Sequence, residues 1–182
     1  MNRATLDRLI SSAGLVVAIV LLAASGVLFW AHNFIHNQVV TQLSAQQIYF
    51  PAYGSSAVTS LPASDRTVMQ QYAGEQLETG AQAETWANHF IAVHLVEIGG
   101  GKTYAQLSSV ALANPTNQAL AKQVQTVFQG ETLRGLLLNA YAFDTMALAA
   151  YYAGIGALVS GLILLVLSGV GFLHSGIAAK RR

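Results

Sequence analysis

Two long runs without a charge frame a middle in which apolar residues recur at helical spacing. Leu9 to Trp30 holds 22 residues and Ala153 to Leu173 holds 21, with no Asp, Glu, Lys or Arg in either. At about 1.5 Å per residue each run covers a hydrocarbon core of roughly 30 Å, so the pattern predicts two transmembrane helices. Arg3 and Arg8 ahead of the first run also suit a cleaved signal peptide. Such peptides, however, carry an apolar core of only about 7–15 residues and a small-residue cleavage site. The exit Phe29-Trp30-Ala31-His32 has no A-x-A pattern, so the run reads as an uncleaved anchor with Trp30 at the interface.

Between the runs the periodicity stays near that of a helix. The first helix is expected to continue through Asn33 to Gln47 and to break at Ile48-Tyr49-Phe50-Pro51-Ala52-Tyr53-Gly54. There Pro51 and Gly54 favour a loop over an extended edge. Ser64 precedes Val68, Met69, Tyr72, Ala73 and Leu77 on one side, which predicts an N-cap and an amphipathic helix stopped by Gly80. Ala81 to Ile98 places Ala83, Trp86, Ala87, Phe90, Ile91, His94 and Ile98 on one face, and Gly99-Gly100-Gly101 ends that helix. Thr103 to Ala113 reads as a shorter helix ended by Asn114-Pro115. From Thr116 a helix is expected again, bent near Gly130, and running through Leu133, Leu136, Leu137 and Tyr141 into the second span. The fold class is therefore all-α: two transmembrane helices carrying an extracytoplasmic helical bundle.

Charge orients the chain. Five of the nine Lys and Arg residues lie in the short ends, against Arg66, Lys102, Lys122 and Arg134 in the long middle. The positive-inside rule then puts both ends in the cytoplasm of a multi-pass protein of the cell membrane. The expected organisation is a cytoplasmic N-terminus at 1–8, a first span at 9–31, an outer domain at 32–150, a second span at 151–173 opened by Tyr151-Tyr152, and a basic tail at 174–182 ending Lys180-Arg181-Arg182.

Composition removes several activities. Charged residues make up 9% and the net charge is +1, so nothing marks a nucleic-acid surface. With no cysteine, disulfides, thiolate metal sites and thiol catalysis are excluded. Gly101-Lys102-Thr103 suggests a phosphate loop, but Val96 stands where that loop needs its first glycine and a helix precedes it, so no nucleotide is expected.

Four histidines lie in the middle region. His32 and His36 are four apart, one helical face, and His89, His94 and Glu97 offer two imidazoles and a carboxylate. These are ligand types of metal centres. On a regular helix His89 and His94 diverge by about 140°, too far for one ion, and His94 shares the apolar face of a core residue. The expectation is no metal and no cofactor, with His32 and His36 as interfacial polar groups. Glu131 and Arg134 are spaced to pair locally, and Asp144 near the outer edge of the bilayer calls for a partner. In the second span Ala149, Ala153, Ala157 and Gly161 recur every four residues, flanked by Gly156 and Ser160. Small residues so spaced let another helix approach closely, the first span with Gly14 and Ala18 being the nearest partner.

Three stretches carry a resemblance: Ala83-Glu-Thr-Trp86-Ala-Asn-His89-Phe-Ile-Ala-Val-His94-Leu with Gly-Gly-Lys102-Thr-Tyr104-Ala-Gln106; Gly130-Glu-Thr-Leu-Arg134-Gly-Leu-Leu-Leu-Asn139-Ala-Tyr141; and, more loosely, Ile48-Tyr-Phe-Pro51 through Tyr72-Ala-Gly-Glu-Gln76. Over most of the middle and both spans the chain resembles a family of uncharacterised actinobacterial two-span membrane proteins. Members often bear the label of aromatic ring-opening dioxygenase. This chain departs from such enzymes in having no cupin or extradiol metal pattern, and the family carries no established activity.

With no nucleophile triad, phosphate loop or cytoplasmic output domain in the sequence, the expected role is non-catalytic. The chain would be a membrane accessory or scaffold subunit that meets the lipid bilayer and docks on a membrane-protein partner, or on its own copy. The alternative is an extracytoplasmic binding module for a metal, haem or lipid.

Overall fold

The computed structural model describes residues 3–180. Arg181 and Arg182 of the expected basic tail, and the side chain of Lys180, lie outside that description. The described chain is helical: α1 (Arg3–Ser44), α2 (Ser56–Thr59), α3 (Ala63–Gln70), α4 (Gly80–Trp86), a π-helical turn (Ala87–Ile91), α5 (Ala92–Ile98), α6 (Tyr104–Ala113) and α7 (Gln118–Lys180). It divides into two compact units, Met1–Ile35 with Met146–Arg182, and His36–Thr145. α1 and α7 lend residues to both.

In the first unit α1 and α7 pack antiparallel. Each is long and apolar enough to cross a membrane, and only 11% of the most apolar 18-residue window of either is buried. Apolar surface left uncovered to that extent is compatible with helices that span a membrane. At one end of the pair the aromatic rings gather: Tyr151 meets Phe29 at 5.9 Å, His32 at 5.0 Å and Tyr152 at 5.6 Å, while Trp30 stacks on Phe34 at 5.6 Å.

The seam of this pair differs from the expected four-residue ridge. Gly161 is buried and Ala157 half-buried, but Ala149 and Ala153 are exposed. Burial on α7 instead falls on Ala147, Gly154, Gly161, Ser168 and Ser175, and on α1 on Ser11, Ala18 and Ser25, every seventh residue in both helices. The reason is geometric. Four residues overshoot a 3.6-residue turn by about 40°, so a four-residue ridge winds away from its partner within a few steps, whereas seven residues fall only about 20° short of two turns. Ser25 and Ser175 turn their hydroxyls back to Leu22 O and Phe172 O, both at 2.8 Å, which satisfies them within their own helices.

The second unit closes on a core of Val39, Leu43, Phe50, Leu61, Met69, Leu77, Ala83, Ala87, Ile91, Leu95, Leu107, Val127 and Leu137. Several expectations differ from this unit. Ser64 is not an N-cap: α3 begins at Ala63 behind Pro62, with no side-chain cap. That helix stops at Gln70, ten residues before Gly80, because Glu75 to Leu77 are drawn into pairing with Ile48 to Phe50. Phe50 N donates to Glu75 O at 2.8 Å and Leu77 N to Ile48 O at 2.8 Å, around a Tyr49–Gln76 bridge. The segment expected as a loop forms no strand and carries one isolated bridge, across which its backbone groups find partners.

Gly80 opens α4 where a helix stop was expected. Thr79 accepts from Gln82 N at 3.2 Å while Gln82 Oε1 accepts from Thr79 N at 3.0 Å, a reciprocal cap. Finally, α7 runs unbroken through Gly130. A mid-helix glycine costs about 1 kcal/mol, and here the missing Cβ makes room for the Leu95 side chain against the helix. Gly100 and Gly101, at φ +57° and +76°, end α5 as expected, in backbone conformations that favour glycine.

Candidate functional site

In the second unit the polar side chains best suited to chemistry meet in carboxylate–imidazole pairs. Asp144, on α7, holds two partners: His36 Nδ1 lies 2.8 Å from its Oδ1, and Gly80 N donates to its Oδ2 at 3.0 Å. The partner that Asp144 called for is therefore an imidazole on α1 together with the first amide of α4. A glycine is required opposite it, since a Cβ on residue 80 would stand 2.5 Å from the Asp144 Cβ.

The second pair joins His89 Nδ1 to Asp65 Oδ1 at 2.7 Å, with the two side chains 29% and 19% exposed. The π-helical turn makes this contact. An extra residue in the turn shifts the register of Asn88 and His89, so the two side chains reach different neighbours. His89 meets α3, while Asn88 Nδ2 donates to Glu84 at 2.8 Å and Asn88 Oδ1 accepts from Arg134 at 3.0 Å. Arg134 also pairs with Glu131 at 3.4 Å, the local pair expected from their spacing. Because the turn interrupts the helix, the 140° divergence of a regular helix does not describe His89 and His94.

His94 is half-buried, not a full core residue. Its Nδ1 donates to Phe90 O at 2.7 Å and its ring lies 4.5 Å from that of Phe90. The Phe90 ring continues through Trp86 to Phe50 and Tyr72 at 4.6, 5.1 and 5.2 Å. Glu97 is exposed and does not join either histidine. In the first unit His32 Nδ1 lies 2.9 Å from Ala147 O. All four histidines thus use Nδ1 within the fold. Among the described residues no group of three or more His, Asp and Glu side chains is placed to hold one ion.

What this arrangement can do follows from the hydrogen bonds. An acceptor at Nδ1 fixes the ring and, in the neutral form, leaves Nε2 as the lone-pair nitrogen. For His89 that is the geometry of a general base or of one ligand among several, and the side chains that would complete such a site are not beside it. For His36 the pair closes the start of α4 onto α7. Asp65 is the participant that sequence reasoning missed, because no local spacing links it to a histidine 24 positions away. Thr79-x-x-Gln82 was legible as a capping box and also passed unread. No protein-family model, curated protein or solved structure matches the chain.

Proposed function

We propose that the chain crosses the membrane twice with both ends in the cytoplasm and residues 32–150 outside, and serves as a non-catalytic accessory or scaffold subunit docked on another membrane or envelope protein. One observation carries this reading. Ala149, Ala153, Gly156 and Ser160 are all exposed. At 100° per residue they fall within about 60° of one another, on a side of α7 centred about 120° from the line of Gly154 and Gly161. The α1–α7 pair thus leaves unused a second face on which another helix can approach closely. In the outer unit Leu133, Leu136 and Phe143 on α7 are 41%, 61% and 55% exposed, apolar surface that a docking partner would cover.

Ala153→Leu is the test. It adds volume only to the outward stripe, so melting and helical content should match those of the native chain. The complex isolated in mild detergent should fall to the mass of the lone chain. A native-sized complex from the variant would remove the stripe as the docking face, and a native complex of identical chains would assign it to self-association. Orientation has its own measurement. A cysteine at exposed Ser56 should react with an impermeant thiol reagent in intact cells, and one at Ala178 only after permeabilisation. The reversed pattern would overturn the topology.

A second reading, an outer binding module for a metal, haem or lipid, draws on the His89–Asp65 pair, since a carboxylate on Nδ1 is how metal-ligating imidazoles are commonly held. Stoichiometric zinc kept by purified protein and lost in His89→Ala would favour it over the scaffold.

A further inference from the structure

We draw no further inference here: the strongest candidate, the His89–Asp65 side-chain pair between the π-helical turn and α3, belongs to the site already described, and among the described residues no third ligating side chain is placed to complete it.

Discussion

Replacing Gly161 with leucine is expected to split the α1–α7 pair. A Cβ at this position would stand 3.0 Å from Leu22 Cγ and 3.3 Å from Ala18 O, so the side chain has nowhere to go but into the opposing helix. Overpacking a close contact costs about 1–3 kcal/mol, sometimes more. Here the opposing atom is partly backbone, which cannot rotate aside, so the upper part of that range is expected. Gly169→Leu is the control, because nothing lies within 4 Å of a Cβ there. A cysteine crosslink between positions 14 and 168, where a Cβ on Gly14 would stand 3.9 Å from the Ser168 Cβ, should form in the native background, be lost with Gly161→Leu and be kept with Gly169→Leu. Equal crosslinking in the two variants would show that the helices do not meet at the seven-residue seam.

Asp144→Ala should be the most damaging single change in the second unit. It removes the acceptor of the Gly80 amide and the partner of His36 together. His36 is 41% exposed, so its share is screened by solvent and amounts to about 1 kcal/mol or less. The buried Gly80 N–H is the larger part, since an amide left without an acceptor costs about 1–3 kcal/mol. The sum is about 2–4 kcal/mol, measured as a shift in chemical unfolding followed by near-ultraviolet circular dichroism. Asp144→Asn keeps an oxygen for Gly80 and should recover most of the loss. Gly80→Ala, harmful in the native background because its Cβ would stand 2.5 Å from the Asp144 Cβ, should stay harmful beside Asp144→Ala, which keeps that Cβ, and cost much less beside Asp144→Gly. Additive effects of Gly80→Ala and Asp144→Gly would mean that the helix start and α7 do not meet at this residue.

Local rules account for what the sequence by itself determined. Two uncharged runs of 22 and 21 residues set two long apolar helices, because length and transfer free energy are properties of a segment and need no partner. The glycines after Ile98 set the end of α5, because a positive φ is a property of one residue. The pairing of Glu131 with Arg134 is likewise local, three positions on one helix.

The tertiary structure decided everything that depends on a distant neighbour. It pinned the loop at Ile48 to Phe50 by bringing Glu75 to Leu77 alongside and pairing their backbones. It carried α7 through Gly130 by laying Leu95 in the space the glycine leaves. It kept Gly161 in the seam but replaced Ala149 and Ala153 by Ala147 and Gly154, since which side of a small-residue helix is covered depends on the helix that covers it. It assigned His36 to Asp144 and His89 to Asp65, across 108 and 24 positions. A hydrogen bond reaches only about 3 Å whatever the separation along the chain, so spacing in the sequence carries no record of those pairs until the backbone has folded.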